Sequence, residues 1–281
     1  MASSSTTLKS DLIIPEVLAD MIAGEFQGNL AIARSDMVRV AENLMASGGD
    51  SVKIPRWSAI SDADDLTEDQ ALVAEVLGTG ADTADVVGAG KLVEISDQAL
   101  LAAHGDPMRE IARQYGILIA RKIDAALVEE AETTTLSKTV EAAIDADAII
   151  DAKAKFGDAQ TDLAGLILHS EQYAALLKND DFKSSAVYGD LNGALATGAV
   201  GSILGMPVFV SDRVTVTEGT PDSYTALLVK RGALGLFYAR TPQVEVQRNI
   251  EKFTTKVSVS VFYAVCLFQS APLGVVKLIT Q

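Results

Sequence analysis

"DPMREIARQYGILIARKIDAALVEEA", residues 106–131, is the stretch on which the reading of the whole chain turns. Asp106 ahead of Pro107 is a strong helix start, because the carboxylate can accept first-turn N–H groups and proline has none to leave unpaired. Beyond it Met108, Ile111, Ala112, Tyr115, Leu118, Ile119, Ile123 and Leu127 recur at helical spacing, which predicts one continuous helix to Ala131. About 25 residues at 1.5 Å rise give a rod of roughly 37 Å, long for a globular protein. The rest of the chain reads as material packed around this spine.

On the N-terminal side, residues 1–10 are rich in serine and threonine and read as an arm. "PEVLADMIAGEFQGNLAIARSDM" (15–37) has helix-like apolar spacing, expected to break at Gly24 and Gly28. "GGDSVKIPRW" (48–57) turns and becomes extended, and "KLVEISDQAL" (91–100) returns as a strand. Between them, residues 58–90 hold Asp62, Asp64, Asp65, Glu68, Asp69, Glu75, Asp82 and Asp85 but no lysine or arginine. Two extended limbs around an acidic tip describe a protruding hairpin. Isolated hairpins are marginal in water, so this one must rest on something, and another subunit is the expected support.

On the C-terminal side, "DADAIIDAKAKFG" (145–157) reads as a helix stopped by Gly157. "LAGLILHS" (163–170) is a strand, and "SEQYAALLKND" (170–180) a short helix capped by Ser170. Strands follow at "PVFVS", "YTALLVK", "GALGLFYA", "PQVEVQR", "KVSVSVFYAVCLF" and "GVVKLIT". A helical first half and a strand-rich second half, without regular alternation, define an α+β layout.

Composition narrows the function. The chain has 281 residues, 48% of them hydrophobic, so it folds around a real core. Its net charge of −15 disfavours sequence-specific nucleic-acid binding. One cysteine, Cys266, excludes an internal disulfide framework. The N-terminus lacks a secretory pattern, and no apolar run is long enough for a membrane helix, so synthesis in the cytoplasm is expected.

The five glycines from Gly189 to Gly205 invite a phosphate loop, but Ala199 and Val200 stand where Lys and Ser/Thr are required. Gly78-Thr79-Gly80 and Gly88-Ala89-Gly90 lack the third glycine of a dinucleotide fingerprint. The glycines therefore read as turns, with Gly205 leading tightly into "PVFVS". His104, His169 and Cys266 form no nucleophilic constellation, and no zinc spacing occurs. "SDADDLTED" (61–69) lacks the glycine and terminal glutamate of a calcium loop. No cofactor, metal or catalytic residue is assigned, and the chain is read as not an enzyme.

The order of these elements resembles the major capsid proteins of tailed bacteriophages, whose fold is named for phage Hong Kong 97. The residues carrying the likeness are the "VKIPRW" limb, the acidic loop, the spine helix, "GMPVFVSDRV" and "APLGVVKLIT". The resemblance implies an N-terminal arm (1–47), an extended loop (48–95), a peripheral domain with the spine helix (96–145), an axial domain (146–235) and C-terminal peripheral strands (236–281). It implies self-assembly of hexamers and pentamers into an icosahedral head around double-stranded DNA. A portal would be a further partner, with or without a decoration protein, and the virion the location. Residues 57–90 contain no lysine, so the covalent cross-link of some relatives is not expected. With about fifty residues before the first limb, a separate scaffolding protein is implied.

Charge adds a contact hypothesis. From residue 230 onward, seven bases face only Glu245 and Glu251. The acidic loop of one subunit would lie over the basic strands of the next. The residues assigned to this contact are Lys53, Arg56, Trp57, Asp62, Asp64, Asp65, Glu68, Asp69, Arg240, Arg248, Lys252 and Lys256. Two alternatives stay open: an encapsulin-type compartment of the same fold with protein cargo, and a soluble hydrolase using unrecognised carboxylates.

Overall fold

The computed structural model describes residues 15–42, 51–57, 60–61, 74–103, 105–178, 201–268 and 274–281. The glycine run 189–200 and the acidic stretch 62–73 lie outside them. The order begins α1 (Pro15–Asn29), β1 (Val38–Glu42), β2 (Ser51–Trp57), β3 (Thr79–Asp85), β4 (Val87–Ser96), α2 (Asp97–Ala102) and α3 (Pro107–Ala131). It continues through β5 (Ser137–Thr139), α4 (Ala146–Ala154), β6 (Leu163–Leu168), α5 (Ser170–Lys178), β7 (Gly201–Ile203) and β8 (Met206–Val210). Last come β9 (Val216–Thr217), β10 (Ser223–Lys230), β11 (Leu234–Asn249), β12 (Thr254–Leu267) and β13 (Val275–Thr280).

Helix α3 is the expected spine. Asp106 accepts from the N–H groups of Met108 and Arg109 at 3.1 and 3.3 Å, with Pro107 in the first turn. Met108, Ala112, Tyr115, Ile119, Ile123 and Leu127 are buried in the larger core. Leu118 departs from the expected stripe and faces outward. The Tyr115 hydroxyl donates to the Val257 carbonyl at 2.7 Å, pinning the helix to β12 and satisfying a polar group that burial would otherwise make costly.

The segment expected to be an arm is, from residue 15 onward, part of the body. Helix α1 runs through Gly24 unbroken, and Leu18, Ile22 and Phe26 bury against α3. The two helices meet at Gly116, where a Cβ would lie 2.6 Å from Glu25 Cβ and 2.9 Å from the Phe26 nitrogen. Hydrophobic burial at this crossing outweighs the weak helix propensity of glycine. After α1 the chain turns on the buried Asp124, whose carboxylate accepts the N–H groups of Ala31 and Ala33, each at 3.0 Å. Strand β1 then pairs in parallel with β11, Val38 opposite Leu234.

Two sheets organise the rest. The first has the order β1-β11-β12-β4 and lies on α1 and α3. The second runs β5-β13-β10-β6-β8-β7, with β9 beside β10, and α4 and α5 contribute to its core. This pairing divides the chain differently from the expected domains. The closing strand β13, grouped in advance with the C-terminal peripheral strands, forms its ladder with β10, Leu228 opposite Val276. Its alternating Val276 and Leu278 complete the second core.

Local chemistry accounts for several differences. "DQAL" begins a helix because the Ser96 hydroxyl caps it, accepting from Ala99 N–H. Helix α5 is capped by His169 and not by Ser170. His169 Nδ1 accepts from Glu171 N–H, and Gln172 Oε1 accepts from His169 N–H, the reciprocal pattern of a capping box. "GALGLFYA" and "PQVEVQR" join as one 16-residue strand, with register shifts between Tyr238 and Gln243 absorbing Pro242. The turn into "PVFVS" is as expected in kind: Leu204 and Gly205 both have positive φ (51° and 79°) between paired Ile203 and Met206, a tight hairpin turn.

Candidate subunit-contact surfaces

The acidic loop is carried by a hairpin, but its two limbs are not the ones expected. Strand β2 pairs with β3 from Ser51↔Asp85 to Trp57↔Thr79, whereas "KLVEIS" in β4 pairs with β12. The base of the hairpin rests on its own chain: Val52 and Ala84 are buried with Phe237, Ala264 and Cys266. This apolar patch exists because Phe237, Ala264 and Cys266 alternate onto the sheet face opposite Leu236 and Tyr263. Replacing Val52 with Asp places an unpaired charge there. Amide exchange in β2 and β3 should then accelerate while α3 stays protected, and unchanged exchange in the hairpin would contradict this support.

Seven residues at about 3.3 Å carry the hairpin roughly 23 Å from base to far end. There Ser61 donates through both its N–H and its hydroxyl to Glu75, at 3.0 and 2.5 Å to Oε2. These bonds hold the Glu75 carboxyl below the ordinary carboxylate range. They join residue 61 directly to residue 75. The neck around them is bare, with Ile60, Val76 and Leu77 at 64%, 88% and 53% exposure.

Of the assigned contact residues, Lys53 is exposed on β2, and Arg56 and Trp57 occupy β2 opposite Gly80 and Thr79. Asp62, Asp64, Asp65, Glu68 and Asp69 lie outside the described residues. The bases on β11 and β12 are largely engaged within the chain. Arg248 makes a two-pronged pair with Asp97 at 2.8 and 2.6 Å. Lys256 lies 3.8 Å from Glu94, which also accepts from the Thr254 hydroxyl at 2.6 Å. Arg240 donates to Ser260 at 2.7 Å and covers the Phe262 ring at 4.6 Å, with its Nε buried and unpaired. Lys252 sits in the exposed turn between the strands, its N–H bonded to Asn249. That turn also exposes Ile250 and Phe253, the latter at φ 50°.

The Arg248 and Thr254 hydrogen bonds lower the carboxyl pKa values of Asp97 and Glu94. Such depressed groups stabilise the folded state above their unfolded pKa, and the contribution is lost as pH falls through the folded value. The melting temperature should therefore drop below about pH 4, and Asp97→Asn should flatten that drop. An unaltered acid limb in this variant would show that the pair contributes nothing.

One basic surface escaped the sequence reading. Phe26, Val40 and Tyr238, with Arg34, Arg39 and Arg231, line an open cleft of about 1000 Å³ between α1, β1 and the turn before β11. Arg39 lies over the Phe268 ring at 5.9 Å and against Gly232, where any Cβ would collide with it. Arg231 pairs with Asp36 at 2.9 Å. Among the side chains described, no carboxylate lies within ion-pair distance of Arg34 or Arg39. The only sequence signal was a pair of arginines in "AIARSDMVRV" (31–40), inside a segment read as a loose arm.

The comparisons with known proteins agree with this architecture. A model of the family described as phage capsid protein matches residues 80–278. The major capsid protein of Staphylococcus phage phiMR11 is 29% identical over 278 residues, covering 94% of this chain and 93% of that protein. The major capsid protein of Bacillus phage SPP1 is 24% identical over 272 residues, covering 85% and 78%. The capsid of Ralstonia phage GP4 superposes with a TM-score of 0.69 at 12% identity, over 91% of this chain and 90% of that one. The family match spans the hairpin's second limb, the spine helix and the strands of both sheets other than β1, and on it the chain belongs to the phage capsid protein family.

Proposed function

We propose that this chain is the major subunit of an icosahedral phage head of the Hong Kong 97 type, enclosing double-stranded DNA of a tailed phage. The observation that carries the proposal is the family match across residues 80–278, most of the folded body. Hexamers and pentamers of the chain build the shell, and a separate scaffolding protein and a portal act with it, with or without a decoration protein. No catalytic step belongs to this role. The absence of lysine from residues 57–90 supports a shell without covalent cross-links through that loop.

In this proposal copies meet through the acidic loop of one and a basic surface of the next. Lys53, Arg56 and Trp57 belong to the arm presenting the loop, and Asp62, Asp64, Asp65, Glu68 and Asp69 to the loop itself. By net charge alone, the receiving bases are Arg240, Arg248, Lys252 and Lys256. Since Arg248 and Lys256 already hold carboxylates of their own chain, Lys252 offers the least committed charge of the four. Each exposed pair contributes only about 0–1 kcal/mol, so the contact gains its strength from repetition across a closed lattice.

Particles purified from infected cells test the proposal. The expected particles contain double-stranded DNA and release the chain as a single monomer band on a denaturing gel. Shells filled with protein cargo favour the encapsulin-type alternative. A ladder of covalent multimers contradicts the uncross-linked shell.

A further inference from the structure

The bare neck and the arginine cleft are complementary in charge and polarity. The neck exposes Ile60, Val76 and Leu77 beside the closure made by Ser61 and Glu75. Beyond it, residues 62–74 carry five carboxylates and no base. The cleft offers Arg34 and Arg39, neither with a carboxylate partner among the described side chains, beside exposed Val40 and the edges of the buried Phe26 and Tyr238 rings. The two sites match in both components, acid with arginine and aliphatic side chain with aliphatic and aromatic wall.

We infer that the α1–β1 cleft is the receiving site for the acidic loop of a second copy of this chain. The inference rests on the shell reading above and gives that contact an address. Three physical points support this address over the β11–β12 bases. Arg248, Lys256 and Arg240 are drawn inward by Asp97, Glu94, Ser260 and Phe262, whereas Arg34 and Arg39 have no carboxylate partner among the described side chains. Arg39 is held between the Phe268 ring and Gly232, so less side-chain freedom is lost on binding. A concave site also desolvates a loop more fully than an exposed strand face, which strengthens each ion pair. The donor is a second copy because the neck stands off its own body, with residues 74–77 all exposed.

Two differently tagged full-length chains, one carrying Asp65→Cys and the other Arg34→Cys, are produced together and the assembled material is oxidised. A reducible band containing both tags is expected, and Cys266, being buried, does not contribute. In parallel, Arg34→Glu/Arg39→Glu places like charges together and should reduce particle yield about tenfold or more. Adding Asp64→Lys/Asp65→Lys should restore it. Monomer melting temperatures within about 2 °C of the unaltered chain exclude misfolding as the cause. If unaltered chains form particles but the double glutamate variant assembles normally, or no disulfide joins the two differently tagged chains, the cleft is not the receiving site. If unaltered chains form no particles either alone or with the proposed scaffolding protein, the shell reading itself fails.

Discussion

Alanine at Gly116 lowers the melting temperature, although alanine is the better helix former. The new Cβ meets Glu25 Cβ at 2.6 Å and the Phe26 backbone nitrogen at 2.9 Å. Backbone cannot move aside as the end of a flexible side chain can, so α1 must shift off α3. Helix propensity offers about 1 kcal/mol in the opposite direction, and overpacking of a close crossing costs about 1–3 kcal/mol. Valine at 116 adds two methyl groups and should cost about 3 kcal/mol or more. That corresponds to roughly 6–12 °C in a chain of this size. Gly24 in α1 is the control. Nothing lies within 4 Å of its Cβ position, so Gly24→Ala should stabilise by about 0.5–1 kcal/mol. Thermal melts of the variants check the pair, and a stabilised Gly116→Ala would show that the two helices do not cross here.

Asp124→Ala carries the second large effect. Its carboxylate is the acceptor for two N–H groups that turn the chain from α1 toward β1. Alanine leaves both without that acceptor, at about 1–3 kcal/mol for a buried orphaned group. Asp124→Asn keeps one acceptor and should fall between. Burial raises the Asp124 pKa against these hydrogen bonds. A carboxyl raised on folding binds its proton more tightly in the folded state. Its contribution to stability therefore declines as pH rises from the unfolded to the folded pKa. The sign is opposite to that of Asp97 and Glu94. Melting temperatures measured from pH 4 to 7 should fall less with Asp124→Asn than with the unaltered chain. A parallel curve would remove Asp124 from the pH response.

What the residues disclosed in advance was local and periodic. Asp106-Pro107 and the recurrence from Met108 to Leu127 marked the spine helix, and Gly205 marked the turn into β8. Those features are written in adjacent positions, where capping, φ preference and helical spacing act directly. Strand partners were less legible, because pairing depends on which distant apolar faces meet. "KLVEIS" has the same alternation whether it pairs with β2 or with β12. "GVVKLIT" follows β12 in sequence yet belongs with β10, and only the shared burial of Val276 and Leu278 decides that. The start of the chain body was underestimated because Gly24 and Gly28 were read as breaks. Packing of Leu18, Ile22 and Phe26 on α3 overrides them. The contact residues followed the same division. Net charge identified the acidic loop and the basic strands, but ion pairs such as Arg248–Asp97 join residues 151 positions apart. The arginine cleft forms where α1, β1 and the turn at Gly232 converge, and no local window contains all three.

Electron microscopy of the full-length chain, produced both alone and together with its proposed scaffolding protein, tests the central claim most directly. Closed isometric shells of uniform diameter are predicted in at least one of the two preparations. Single unassembled subunits in both, at every concentration, would contradict the shell function.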